Sequence, residues 1–208
     1  MILREQLQQG LVEIDLPLDD VQIDSLLEYL ALLSKWNKSY NLTAITEPQK
    51  MLAYHLLDSL VIHNQLKPGI SALDVGSGAG LPGLPLAIAR PDSTWILLDS
   101  NGKKVRFLQQ ALAHCKIDNA VVVKSRVEDY HAAEPFDIIV SRAFASLANF
   151  TGSVAHLAQS KTLLLTLKSG IGEAELAALD TAKYMMQETE LRVPGIAEKR
   201  CLISLNRQ

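Results

Sequence analysis

The sequence predicts an α/β protein, a mostly parallel sheet with helices on both faces, preceded by a helical extension. Three observations lead there. Apolar residues recur at helical spacing up to about residue 66, and beyond it short β-rich runs alternate with helical ones. Strands separated by helices need crossover connections, which give parallel pairing with both faces covered. The first β-rich run ends in three glycines within five residues, a sharp turn at the end of the strand where such sheets take ligands. A chain of 208 residues suits one core with an appendage, so residues 1–66 are read as a helical extension packed on the core and 67–208 as the sheet domain.

Taken in order, Leu3, Leu7, Leu11 and Ile14 mark a first helix, weakened by Gly10. After Pro17, Asp19 is the expected N-cap of a second helix. Its apolar stripe is Ile23, Leu26, Leu27, Leu30 and Leu33, and it should end before residues 37–41. Thr46-Glu47-Pro48-Gln49 reads as a capping box with proline in the first turn of a third helix, which should reach about Leu60. Lys67-Pro68-Gly69 breaks the pattern. The β-rich runs are 70–75, 94–98, 120–124, 136–140, 162–167 and 201–205. Helices are expected at 82–89, along Val105, Leu108, Leu112 and Cys115, and at 147–158 and 173–188.

Composition removes several classes. With 48% apolar and 21% charged residues the chain is neither disordered nor collagen-like. No apolar run approaches the roughly 18 residues of a spanning helix. The first residues carry Glu5 and no apolar segment, which argues against a signal peptide. Cys115 and Cys201 match no zinc spacing and need no oxidising compartment. The expectation is a cytoplasmic protein without a membrane partner. A net charge of −3 disfavours a nucleic-acid partner at first sight. The acid is concentrated at the front, however. Residues 1–70 hold five basic and nine acidic side chains, the remainder fifteen and fourteen, so a basic surface on the later part remains open.

The stretch Asp74-Val75-Gly76-Ser77-Gly78-Ala79-Gly80-Leu81-Pro82-Gly83 carries the chemistry. From Gly78 it satisfies the dinucleotide pattern G-x-G-x-x-G, but that pattern starts directly after its strand and here it comes two residues late. Read from the strand, the register is Gly76-x-Gly78-x-Gly80 preceded by Asp74, which resembles the first motif of class I S-adenosylmethionine-dependent methyltransferases. The bland alternative is a tight turn without a ligand. Asp99 follows the second strand, 23 residues after Gly76. A carboxylate there can accept both hydroxyls of a ribose, which both cofactor readings want, or it can cap the next helix.

After the third strand, Val127 and Glu128 suit the adenine edge of such a ligand, though Glu128 and Asp129 also read as solvated loop charges. The fourth strand leads into Ser141-Arg142-Ala143-Phe144-Ala145-Ser146. The Asp/Asn-Pro-Pro-aromatic motif of amino-group methylation is missing. Neither cysteine is placed for attack on a pyrimidine ring carbon. What remains suits a nucleophile that needs no deprotonation, such as guanine N7, with catalysis by in-line positioning and no acid or base residue. Arg142 can contact a cofactor carboxylate or donate to the guanine O6, or it can be an ordinary surface ion pair.

Several segments together are similar to one family. They are Asn41-Leu42-Thr43-Ala44-Ile45, His55-Leu56-Leu57-Asp58-Ser59-Leu60, the glycine loop, Leu97-Leu98-Asp99-Ser100-Asn101-Gly102-Lys103-Lys104 and the 141–146 stretch. They resemble the bacterial 16S ribosomal RNA guanine-N7 methyltransferases, known also as glucose-inhibited division protein B. The likeness covers about residues 25–170. It implies a Rossmann-like class I methyltransferase fold, S-adenosyl-L-methionine as cofactor, and methylation of one guanine N7 near the decoding centre of 16S rRNA. Carried over, Asp74, Gly76, Gly78, Leu81, Asp99, Val127, Glu128 and Arg142 become the cofactor-binding candidates. Arg142, Lys168, His55 and Asp58 become substrate-positioning candidates. The family usually has Lys-Gly after the fifth strand, where this chain has Lys168-Ser169-Gly170, and a Pro-Gly turn where it has Gln159-Ser160-Lys161.

His55, Asp58 and Ser59 share one face of the third helix, either facing the pocket or closing an interhelical hydrogen-bond cluster. His63 has no cysteine or second carboxylate grouped with it, so no metal is expected. For RNA contact the candidates are Lys103, Lys104, Arg106, Lys124, Arg126, Lys168, Lys199 and Arg200. The acidic balance suggests weak hold on naked RNA, making a small ribosomal subunit or its assembly intermediate the expected partner of a monomer. Two other readings stay open: a nicotinamide-dependent oxidoreductase, and a non-catalytic RNA-binding assembly module.

Overall fold

The computed structural model describes residues 2–142, 144 and 146–208; Ala143 and Ala145 of the 141–146 stretch lie outside the described residues. Seven strands form one sheet in the order β3-β2-β1-β4-β5-β7-β6. They are β1 (Ser71–Val75), β2 (Thr94–Asp99), β3 (Ala120–Lys124), β4 (Ile138–Ser141), β5 (Leu163–Lys168), β6 (Tyr184–Leu191) and β7 (Arg200–Arg207). The first five are parallel; β7 returns antiparallel to β5 and pairs in turn with β6. Strand order reverses between β1 and β4, and such a switch point opens a crevice at the carboxyl ends of the strands.

Alternation along the strands feeds two cores. Ala72, Leu97, Val140 and Leu165 join one apolar cluster, while Leu73, Leu98, Ile139 and Leu164 join the other. The first cluster also takes in the front helices α1 (Ile2–Glu13) and α2 (Asp20–Tyr40), with α5 (Gly83–Ala89) and α6 (Gly102–His114). Behind the second lies α7 (Leu147–Val154). The mostly parallel sheet with helices on both faces is therefore present. Among the described residues, no helix is long and apolar enough to cross a membrane.

Local sequence explains most element boundaries. Asp19 accepts from the Gln22 N–H and the Gln22 side chain accepts from the Asp19 N–H, a complete capping box for α2. That helix runs further than expected, to Tyr40, and stops where Asn41 takes a left-handed conformation. The next helical run begins at α3 (Pro48–Met51), passes through a π-helical stretch, Leu52–Leu57, and ends in α4 (Asp58–Leu60). Its N-cap is Glu47 without a side-chain bond, so the box expected at Thr46 does not form. Proline occupies the first turn, and that shifts the helix start one residue past the box.

The largest departure lies at 173–188. Instead of one helix, α8 (Glu173–Ala177) is a single short element and the chain then enters β6. Most of β6 is exposed, so its polar run Gln187-Glu188-Thr189-Glu190 carries no apolar strand signal. Pairing with β7 makes it a strand, a tertiary effect that local propensity does not encode.

Candidate functional site

The loop after β1 turns through three glycines with positive φ: Gly76 at 71°, Gly78 at 60° and Gly80 at 95°. This left-handed region favours glycine, which explains why the turn needs that residue. Its amides point into the protein. The Gly76 and Ser77 N–H groups donate to the Leu98 carbonyl at 2.8 and 3.0 Å, and those of Gly80 and Leu81 donate to the Ser77 carbonyl at 2.7 and 2.9 Å. The Gly83 N–H donates to Asp74 Oδ2 at 3.0 Å. A pyrophosphate cradle needs such donors free at the helix start. Here they are already paired, so the dinucleotide register loses its physical basis.

Asp99, at the end of β2, is held from two sides. Its Oδ2 accepts from the Gly78 N–H at 2.9 Å, and its Oδ1 accepts from the Asn101 N–H at 2.8 Å. Each oxygen keeps a second lone pair for a ligand hydroxyl. The carboxylate faces a cavity of about 310 Å³ with Gly76, Val127, Glu128 and Phe144 among its lining residues. That volume lies within the range of small-molecule sites. A strand-end carboxylate with preset orientation, beside glycine backbone, fits a nucleoside.

Four of the cofactor-binding candidates do not line this cavity: Gly78 meets it only through its bond to Asp99, and Asp74, Leu81 and Arg142 lie elsewhere. Asp74 is wholly buried beneath the loop, where it holds the Gly83 amide instead of lining the cavity. Burial pushes its carboxyl up to about 7, opposed by the Gly83 hydrogen bond. A Cβ at Gly83 would come within 2.7 Å of Asp74 Oδ2, so this close approach also requires glycine. Leu81 is buried in the apolar core and its N–H is committed to Ser77.

A second cavity, of about 490 Å³, gathers all four substrate-positioning candidates, His55, Asp58, Arg142 and Lys168. Arg142 therefore lines this cavity and is not among the lining residues of the first. Asp58 is 3% exposed and bridges two guanidinium groups: Arg200 Nε donates to Oδ1 at 3.0 Å and Arg142 Nη1 to Oδ2 at 3.3 Å. Arg142 Nη1 also donates to the Tyr54 carbonyl at 2.9 Å, and the Arg200 guanidinium lies 5.6 Å from the Tyr54 ring centroid. Lys168 pairs with Glu175 at 2.7 Å. The same Glu175 oxygen accepts from the Leu147 N–H at 2.8 Å, tying the start of α7 to the end of β5.

His55 meets both readings of its cluster. It lines the cavity, yet its Nε2 is 2.9 Å from the Thr43 hydroxyl, and burial with the nearby Arg142 charge lowers its pKa to about 4. It is neutral at ordinary pH. Ser59 is structural, donating to the His55 carbonyl at 2.6 Å. Tyr54 and Glu175 escaped the sequence reading, Glu175 because it lay inside the misread helix.

Among the described residues only Phe144 lines both cavities. Of the basic RNA-contact candidates, Lys103, Arg106, Lys124 and Arg126 are exposed, Lys104 and Arg126 line the first cavity with Lys104 Nζ 3.8 Å from Asp99 Oδ2, and Lys199 pairs with Glu188. No group of three or more His, Cys, Asp or Glu among the described residues is arranged to hold a metal ion.

Comparison with known proteins bears on the family and the fold. A family model described as rRNA small subunit methyltransferase G matches residues 22–203. Ribosomal RNA small subunit methyltransferase G of Nitrosococcus oceani is 46% identical over 199 residues, 96% of this chain and 92% of its own length. The protein of the same description from Pseudomonas aeruginosa PAO1 is 47% identical over 203 residues, covering 98% and 95%. Among solved structures, a SAM-dependent methyltransferase from Aquifex aeolicus superposes with a TM-score of 0.58 at 17% identity, covering 83% of this chain and 97% of that one. A TehB-like SAM-dependent methyltransferase from Corynebacterium glutamicum gives 0.58 at 12% identity, covering 86% and 99%. At those identities the solved structures speak for the fold alone. The family match over most of the chain, with near-half identity to relatives along almost their whole length, shows that the chain belongs to the rRNA small subunit methyltransferase G family.

Proposed function

We propose that this chain, as a monomer in the cytoplasm, transfers a methyl group from S-adenosyl-L-methionine to N7 of one guanine in 16S rRNA near the decoding centre. The substrate is the small ribosomal subunit or an assembly intermediate. One observation carries the reading: a nucleoside-sized cavity with an oriented carboxylate adjoins a larger cavity rich in arginine and lysine, and both belong to a single chain.

S-adenosyl-L-methionine supplies a methyl group on a sulfonium, whose positive charge is lost on transfer. Asp99 would hold the ribose hydroxyls, and Val127 with Glu128 would border the adenine. Guanine N7 presents a lone pair and no proton, so the acceptor cavity needs positioning and no base. His55 is consistent with that, since its ring is neutral and committed to Thr43. Arg142, fixed by Tyr54 and Asp58, has further N–H donors for the guanine O6, leaving N7 unblocked. Lys168 and Arg200 suit the neighbouring phosphates.

Labelled-methyl transfer to small ribosomal subunits, followed by chemical cleavage at N7-methylguanine, tests the proposal. One cleaved position in 16S rRNA is expected. Cofactor binding without any transfer would instead favour a non-catalytic assembly module, and equal transfer to free rRNA would remove the preference for the subunit.

A further inference from the structure

We propose that Phe144 is the platform on which the acceptor base stacks, and that its ring stabilises the positive charge the base acquires. The proposal rests on the guanine-N7 reading and adds to it a residue for the charge-bearing step. Phe144 is the only described residue shared by the two cavities, so a methyl group passing from one to the other passes beside it. It is half-buried, with its ring centroid 5.3 Å from that of the fully buried Phe150, which backs it from the core.

The nearest described residues around the 143–145 stretch, apart from Phe144 itself, are each hydrogen-bonded. Before it, the Ser141 hydroxyl donates to the Val75 carbonyl at 2.7 Å, and Arg142 is held by Tyr54 and Asp58. After it, Ser146 caps α7 through the Asn149 N–H, and Glu175 takes the Leu147 N–H. An aromatic ring anchored at this junction is placed to cover the face of a planar ligand.

The chemistry favours an apolar aromatic there. The N7 lone pair lies in the plane of the purine, so the new N–C bond forms at the edge of the base while its face is free to stack. As the N7–CH3 bond forms, the S–CH3 bond breaks with its electron pair going to sulfur, and no proton leaves. Positive charge moves from sulfur onto the base. The face of an aromatic ring attracts a cation more than a neutral group. Phe144 therefore binds the transition state more tightly than the ground state, the condition for raising kcat.

The test compares Phe144→Leu and Phe144→Trp with the wild-type chain, using small ribosomal subunits as acceptor and S-adenosyl-L-methionine titrated separately. Stacking and charge stabilisation together predict a loss of about 10- to 100-fold in kcat/KM for Phe144→Leu, with most of it in kcat. Phe144→Trp should recover all but a few-fold of this, because it restores a π-face. Fluorinated phenylalanines at position 144, which keep the shape but weaken the ring quadrupole, should lower kcat stepwise with fluorine number. Unchanged transfer by Phe144→Leu overturns the proposal, as does a loss matched by an equal loss of cofactor affinity, or one indifferent to fluorination. No transfer by the wild-type chain would overturn the underlying function and this inference with it.

Discussion

Burial moves the titrations of His55 and Asp74 in opposite directions. His55 is lowered to about 4, so folding favours its neutral form. Its contribution to stability is complete above the unfolded value near 6.5 and is lost as pH falls toward 4. Asp74 is raised to about 7, so folding favours its protonated form. Its contribution is complete below about 4 and is lost as pH rises toward 7. Between those limits the two slopes oppose each other and flatten the stability profile of the native chain. Replacing either should expose the other. Relative to wild type, Asp74→Asn should gain stability as pH rises from 4 to 7, and His55→Gln should gain it as pH falls from 6.5 to 4. Each change is on the order of 3–4 kcal/mol across its window. Urea unfolding at three pH values measures this, and profiles merely displaced in parallel would contradict it.

The same residues show what a sequence can convey at this scale. Asp99 and Gly76 were readable because the distance from loop to carboxylate along the chain reflects the dimensions of one β-α-β unit. The partner of Asp58 was not. Arg200 lies 142 residues away and arrives only when β7 folds back beside β5. Asp74 and Leu81 were readable as members of a motif, but whether each faces ligand or core depends on the turn geometry of the folded loop.

At the scale of elements, Gly10 illustrates how packing can reverse a propensity. It sits inside α1, where alanine is intrinsically better by about 1 kcal/mol. Its Cα, however, faces the helical run 48–60, and a Cβ there would meet Leu57 Cδ1 at 2.5 Å. Leu57 is 2% exposed, so its side chain must change rotamer or the two helices must part to admit the methyl group. Gly10→Ala should therefore destabilise the chain, by roughly 1–2 kcal/mol, where propensity alone predicts a gain. A denaturant midpoint above that of wild type would refute the close crossing. Glycine looked like a flaw in the sequence because the neighbour that demands it is 47 positions further along, beyond any periodicity. The misread stretch 173–188 has the same cause. An exposed edge strand keeps only the pattern its partner strand requires, and its glutamates and methionines fit a solvated helix equally well.

The whole molecule joins the front helices to the sheet domain through a shared core. One apolar cluster runs from Leu7 and Leu26 through to Leu165 and Leu202 in the sheet. Polar contacts cross it as well. The Gln22 side chain donates to the Ile88 and Ala89 carbonyls at the end of α5. The Tyr29 hydroxyl, fully buried on α2, donates to the Ala79 carbonyl at 2.7 Å inside the glycine loop. Burial pushes the Tyr29 phenol up, so it stays protonated and remains a donor. The front of the chain thus holds the turn beside the Asp99 cavity, even though none of its described residues lines that cavity. Tyr29→Phe isolates this link, because it removes one oxygen and leaves the ring packing in place. The Ala79 carbonyl would be left buried without this donor, which costs about 1–3 kcal/mol. Since the lost contact lies in the loop, part of the effect should appear as weaker binding of S-adenosyl-L-methionine, several-fold by titration, with folding still cooperative. A variant that loses stability but binds the cofactor as wild type does would show that the front helices brace the core and not the loop.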